Sequence, residues 1–369
     1  MRLTTLLATI VLLAHGSLSA ETLTLWNAHS LEHLQPELTR FEKITGHKIV
    51  QQHFRADQFR DRVLSSVLLP DLYFIPSDQI SNVQEYHLGP WPDTIPRAYQ
   101  LRDDGQLGNS WYGMPINMGN QLILYYRKDL VAPVSRLEDI PDGKLAWPSK
   151  QAYWFIPFLT SSGGWPLNGD NFSLDTPQMV AALQGYVALI ARHPVAQCEL
   201  MCNEQAFIKG EVSYLLDGDW AYQTLKDVLG DRLGMALMPT WQGQRMVPLS
   251  SSYVMARRGD LSDTKRQISE ELVRFLLADE TQKALYERSK LFPSVERVAA
   301  NLSDKMSEDM RILHQQLLKS RAMPNDRKMM IVWLVMGKSL ELFLSGEFSA
   351  QETAHNMQTM AVEEEGSAR

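Results

Sequence analysis

Between Thr22 and Asp78 the chain alternates two hydrophobic periods, and only one broad class of fold uses them in that succession. Leu23 and Leu25 alternate with threonines, the mark of a strand that ends near Trp26-Asn27. Leu31, Leu34, Leu38, Phe41 and Ile44 then follow helical spacing, with Pro36 in the early turns and Gly46 as the stop signal. His47 to Phe54 reads as a second strand and Gln58 to Leu69 as a helix. Asp71 to Ile75 reads as a short buried strand running into Pro76-Ser77-Asp78. This β-α-β-α-β order predicts an α/β fold with a doubly wound, mostly parallel sheet. In such sheets ligands lie beyond the carboxyl ends of the strands, which here are Asn27 to Ser30 and Pro76 to Gln79.

A second round follows, with strands expected at Leu145 to Trp147, Val212 to Leu216 and Gly234 to Met238, and helices at Gln178 to Ala191 and Ala221 to Val228. Trp111 to Asn117 and Met246 to Tyr253 have the extended look of segments crossing between two α/β units. After Gly259 helical spacing dominates through Met360. The chain's 369 residues are enough for two separate cores.

The N-terminus reads as a secretory signal. Arg2 is followed by an apolar run from Leu3 to Ala14 and by small residues that place cleavage near Ala20. The run is too short to span a bilayer, and no cysteine stands at the cut for a lipid anchor. A soluble, exported protein is therefore expected, and the family resemblance drawn below implies the periplasm. A net charge of -7 and a pI near 5.8 exclude the basic surface of a nucleic-acid binder. In an oxidising compartment Cys198 and Cys202 are candidates for one small-loop disulfide. An unbroken helix would hold the sulfurs awkwardly, but His193-Pro194 just upstream signals irregular backbone. Only His193 and Glu199 stand near them, too few for a metal, and no cofactor is expected.

The stretch from Ala206 to Tyr222 reads as helix end, strand, tight turn and new helix. Gly218 would permit the turn that Asp217 and Asp219 favour, leaving Trp220 at a helix start beside free backbone amides. A flat apolar ring next to free donors suits a sugar, whose C-H faces stack and whose hydroxyls need hydrogen bonds. A core strand capped by a buried Trp fits this segment equally well.

Taken in order, several pieces resemble the periplasmic solute-binding proteins of ABC importers, and within them the family 1 sugar binders that include the maltose binders. These are Leu25-Trp26 with Phe41-Glu42-Lys43-Ile44-Thr45-Gly46, Pro70-Asp71-Leu72-Tyr73-Phe74, and Tyr112-Gly113-Met114-Pro115 leading to Tyr126-Arg127-Lys128-Asp129-Leu130. Ser162-Gly163-Gly164, Phe207 to Trp220, Phe275 to Glu280, and Met323-Pro324-Asn325 with Trp333 complete the set. The resemblance implies two lobes joined by chain crossings, closing on a ligand that a membrane permease then receives, with no covalent chemistry. The expected lobes are 21–116 with 252–298 and 119–250 with 300–369, crossing near 117–118, 251 and 299. A monomer is expected.

The same resemblance implies a ligand site. Trp220 and Trp333 match the family's stacking tryptophans, Tyr153 and Trp154 cover a segment that supplies a further aromatic, and Asp78 matches an acidic site residue. Gln79 stands where maltose binders carry arginine, Asn120 where they carry glutamate, Gly337 at a further arginine position, and His29 and Ser30 near an Asp-Lys pair. The aromatic set is kept while charged partners change, which implies a carbohydrate, a di- or oligosaccharide, without implying maltose. From the residues alone Trp333 also fits a core, among Ile331, Val332, Leu334 and Val335, and Asp78 also fits a turn cap. Two other readings stand beside this one. A non-sugar solute such as a polyamine, glycerophosphodiester or metal chelate would need carboxylates or arginines in the cleft. A secreted carbohydrate-active enzyme would need an acid pair, but Asp217 and Asp219 alternate on an extended segment and point apart. Ser161-Ser162-Gly163 lacks the first glycine of a nucleophile elbow.

Overall fold

A computed structural model describes residues 20–95, 104–194, 200–302 and 305–367. Among the described residues it has two large sheets and three two-stranded ones. The larger is built on β1 (Thr22–Asn27), β2 (Lys48–His53), β3 (Leu72–Pro76), β4 (Gly113–Gly119) and the long β8 (Leu249–Arg258). Its order runs from the short strand Phe292–Pro293 through β4, β8, β3 and β1 to β2. The smaller has β5 (Leu122–Arg127) between β6 (Tyr214–Gly218) and β7 (Leu233–Ala236), with Leu145–Ala146 on the far side of β6.

The helices follow the expected grammar. In α1 (Leu31–Thr45) Leu34, Leu38 and Phe41 are buried, and Gly46 ends it in the left-handed conformation (φ 79°), donating its N–H to Glu42 O. The helix after β2, α2 (Ala56–Ser65), stops four residues before the expected Leu69. Val67 and Leu68 are exposed there, so no buried face extends the helix. In the second unit α3 (Ala152–Ser161), α4 (Pro177–Arg192), α5 (Leu200–Lys209) and α6 (Tyr222–Leu229) surround the smaller sheet. Thr176 caps α4 through Met179 N, with Pro177 at the first helical turn. Beyond β8 come α7 (Asp263–Leu276), α8 (Asp279–Ser289), α9 (Glu296–Leu302), α10 (Glu308–Lys319), α11 (Arg327–Leu344) and α12 (Ala350–Ser367).

The fold is thus the expected pair of α/β bodies, with strand directions more mixed than a doubly wound sheet. β1 pairs in parallel with β2 and β3, but β8 runs antiparallel to both β3 and β4. In the second sheet β5 is antiparallel to both neighbours. β4 passes into β5 within two residues while the chain changes sheet, so this is the first crossing. β8 is the second crossing. Leu249 and Ser250 pair with Arg321–Ala322, while Tyr253 to Arg257 pair with β3. The 3-10 turn Ser77–Asn82, which follows β3, packs against α11 of the other body, so the two bodies meet across the cleft.

Candidate functional site

Four aromatic side chains converge on the second body's side of the cleft. Tyr153 and Trp154 open α3, Trp220 lies in the 3-10 turn Asp219–Ala221 after β6, and Trp333 lies on α11. Ring centroids separate Tyr153 from Trp220 by 6.0 Å, Tyr153 from Trp333 by 6.2 Å, and Trp154 from Trp220 by 5.9 Å. Trp154 is buried and donates its indole N–H to Leu216 O at 3.0 Å. Tyr153, Trp220 and Trp333 are half-buried, so part of each remains available to a ligand.

Gly218 corrects one sequence expectation. It lies in β6 with an extended φ of -81° and makes no left-handed turn. Its role is clearance, since a Cβ there would sit 2.2 Å from the indole ring of Trp220. The glycine therefore lets the tryptophan fold back over its own strand.

The first body presents polar groups. Asp78, in the turn after β3, is buried, and its Oδ1 has no hydrogen-bond partner among the described residues. Burial pushes its carboxyl up to about 6, against backbone N–H groups and the Gln79 side chain that favour the ionised form. Gln79 is tied inward, its Oε1 accepting from the Tyr86 hydroxyl at 2.8 Å and from Asn82 Nδ2 at 3.4 Å. His29 lies edge-on to Tyr253 at 4.8 Å, and at 4.8 Å from the ring of His33. Its Nδ1 accepts the Ser30 backbone N–H at 2.8 Å. Burial first, and then the neighbouring His33 and His53, keep this imidazole neutral. The remaining proton is therefore on Nε2, a buried donor with no partner among the described residues. Ser30 is exposed at the α1 N-terminus and contributes backbone rather than its hydroxyl.

Asn120 lies at the crossing rather than in either wall. It has a left-handed φ of 50°, and its Nδ2 donates to Ser251 Oγ at 2.6 Å, tying the two crossing segments together. Its carbonyl accepts the Tyr153 hydroxyl at 2.5 Å. The carboxylate of Asp219, one residue before Trp220, packs on this crossing, and Gln121 N donates to it at 3.4 Å. A Cβ on Gly119 would meet its Oδ2 at 2.4 Å. Burial raises Asp219 to about 7, opposed by the backbone N–H groups of Gln121, Asn120 and Trp220. Burial first, then Asp219, Tyr253 and Asp78, holds the Tyr153 phenol well above its ordinary range.

Sequence reasoning placed residue 251 and Tyr253 in a crossing segment without giving them contacts, and read Asp219 only as a turn former and half of a divergent acid pair. Tyr253 had a weak signal: it follows three serines in a crossing segment, where small side chains leave one large one prominent. The divergence itself is plain, since Asp217 turns into the second body, buried and interacting with Glu204 on α5, while Asp219 turns to the crossing. Gly337 is on α11 with open space where a side chain would be. Trp26, Trp111, Trp147 and Trp241 are buried in the two cores. Cys202 is disulfide-bonded, and Cys198 lies outside the described residues, as does the signal segment before Ala20. Among the described residues no group of His, Cys, Asp and Glu is arranged to hold a metal, and no helix is long and apolar enough to cross a membrane.

Two α/β bodies with crossing strands and a cleft between them define a solute-binding protein, and sequence comparison bears this out. Residues 56–312 match the family described as bacterial extracellular solute-binding protein, and the chain belongs to that family. Two maltooligosaccharide ABC transporter solute-binding lipoproteins, from Streptococcus pneumoniae strains R6 and TIGR4, are each 23% identical over 335 residues. In each case this covers 80% of this chain and 76% of the relative. The fold is also that of the maltose/maltodextrin-binding domain MalE from Bdellovibrio bacteriovorus, solved bound to maltotriose. It matches at a TM-score of 0.81 and 18% identity, over 93% of this chain and 99% of that one.

Proposed function

We propose that this protein captures a sugar, a di- or oligosaccharide, between its two bodies and delivers it to the membrane permease of an ABC importer. The observation that carries this reading is the wall of Tyr153, Trp154, Trp220 and Trp333 facing the polar pair Asp78 and His29. Aromatic faces match the C-H faces of a pyranose, while a carboxylate acceptor and an imidazole donor match the two hydrogen-bonding senses of its hydroxyls. The relatives named for maltooligosaccharide transport and the neighbour solved with maltotriose point to the same ligand class.

Ligand contact is assigned to Trp220, Trp333 and Tyr153, backed by the buried Trp154, on one side and to Asp78 and His29 on the other. Gln79, Asn120 and Ser30 act through position: Gln79 holds the turn at Asp78, Asn120 ties the crossings, and Ser30 orients His29. The lobes comprise 21–116 with 252–298 and 119–250 with 300–369. The mature chain begins near residue 21 after export to the periplasm. The protein binds without turnover. Asp217 and Asp219 point to different interiors, so they do not flank one glycosidic bond.

The test is intrinsic tryptophan fluorescence of the mature protein titrated with a panel of mono-, di- and trisaccharides, followed by chromatography of the recovered sugar. A saturable change with one class of saccharide, recovered intact, is the expected result. Saturation by a polyamine or a glycerophosphodiester instead would overturn the sugar assignment, and cleaved sugar would overturn binding without turnover.

A further inference from the structure

Tyr253 stands where the crossing strand β8 enters the first body, directly opposite Pro76 of β3 and Asn117 of β4. Its backbone is pinned on both sides. Just before it, Ser251 Oγ accepts from Asn120 Nδ2 at 2.6 Å, and Ser252 donates its N–H and its hydroxyl to the two carboxylate oxygens of Asp104 at 2.8 and 2.9 Å. Just after it, the pairing with β4 shifts register between Tyr253 and Val254, an irregularity of the kind that re-aims a side chain. The ring is held as firmly, stacked on Phe74 at 5.6 Å and at right angles to His29 at 4.8 Å. Only 4% of the residue is exposed, and a buried tyrosine normally gives its hydroxyl a partner. Here, among the described residues, no hydrogen bond reaches the hydroxyl, and it is not one of the fully buried polar atoms, so the small exposed part of Tyr253 includes it. Tyr153 is the reverse case: its ring stands in the aromatic wall while its hydroxyl is occupied by the carbonyls of Asn120 at 2.5 Å and Leu249 at 3.4 Å. The neighbours of Tyr253 place it at the floor of the cleft, beside His29 and beside the turn Ser77–Asn82, which begins one residue beyond Pro76 and packs on β8.

Resting on the sugar reading, we propose that Tyr253 is a specificity-determining residue at the floor of the cleft, its hydroxyl exchanging a hydrogen bond with one hydroxyl of the bound sugar. A phenol both donates and accepts, so it complements a sugar hydroxyl in either sense, and a carbon-bound hydrogen at the same position would leave it unpaired. The ring is occupied by Phe74 and His29, so Tyr253 offers the ligand its hydroxyl rather than a stacking face. Backbone ties and ring contacts already fix the side chain, so little ordering is left to be done on binding. A site that hydrogen-bonds a hydroxyl rejects an analogue lacking it, whereas an aromatic wall scarcely notices the change. Because β8 carries the chain between the two bodies, this contact lies beside the pivot rather than on a closing wall, and it orients the sugar for both.

The test is calorimetric titration of the mature protein and of Tyr253→Phe with maltotriose, cellotriose, mannotriose and xylotriose, and then with the monodeoxy forms of whichever trimer binds most tightly. Tyr253→Phe is expected to bind that trimer about three- to tenfold more weakly, with an unchanged urea midpoint because the ring packing is kept. One monodeoxy form should bind the wild type more weakly than the parent trimer does, yet bind the variant as well as the parent does, since the variant has already lost that partner. Equal affinity of the two proteins for the parent trimer would overturn the assignment while leaving sugar capture standing. A weaker variant that still ranks every monodeoxy form as the wild type does would also overturn it, making Tyr253 a structural residue only. Failure of the wild type to bind any of the trimers would remove the reading on which the inference rests.

Discussion

The two walls of the cleft are made by different physics. The second body offers rings, held by packing and by hydrogen bonds such as Trp154 Nε1 to Leu216 O and the Tyr153 hydroxyl to Asn120 O. The first offers small polar groups on loops at strand ends, Asp78 after β3 and His29 after β1, each with a buried atom lacking a partner among the described residues. Rings gain by excluding water over a large area and tolerate many sugars. Point donors and acceptors gain only when geometry and charge match. Under the proposed function, the contrast would assign capture to one wall and selection to the other.

The sharpest way to break that division is Trp220→Ala, expected to weaken ligand binding by about 1 to 3 kcal/mol with the fold intact, read by titration and circular dichroism. Unchanged affinity would take Trp220 out of the wall. Gly218→Ala is expected to act on the same wall by displacing the Trp220 ring, lowering stability by about 1 to 3 kcal/mol in denaturant unfolding and reducing affinity with it. Unaltered stability would show that the ring moves freely and is not held over its strand.

Removing one selecting group, Asp78→Ala, should cost about 1 to 2 kcal/mol in affinity and should alter the ranking of sugars more than the overall fluorescence response. A uniform loss across the panel would erase the distinction between the walls. The same residue leaves a signature on ligand-free stability. Its folded value of about 6 lies above the unfolded carboxylate range, so the native state holds an extra proton between the two. The stability this contributes is complete below the unfolded value and is lost as pH rises through about 6. Melting temperatures of Asp78→Asn relative to the wild type should therefore improve as pH is raised from 5 to 7. A constant difference would mean that the carboxylate is not desolvated. The smallest effect is expected away from both walls. Leu68→Ser, at a side chain 84% exposed, should shift stability by no more than about 0.5 kcal/mol and leave affinity unchanged.

Much of the architecture was legible in the sequence because it is written in local periodicity. The helix from Leu31 stops at Gly46, where its spacing and the glycine place the end. The strand at Leu122–Arg127 was not read from the sequence, and its antiparallel direction appears only in its pairing with both neighbours of the smaller sheet. The aromatic members of the site stood out as large residues beside breaks in regular structure. Tyr253 and Asp219 did not, because their part in the cleft depends on segments more than thirty residues away along the chain.

By itself the sequence determined the alternation of strand and helix and the family resemblance. These depend on side-chain chemistry at short range, which hydrophobic spacing and turn residues report directly. Tertiary structure alone decided that Gly218 is extended so that Trp220 can fold back, that Asn120 joins the crossings through Ser251, and that Asp78 and Asp219 are each desolvated. Desolvation and close approach arise only when distant segments pack, and no local pattern in the chain encodes them.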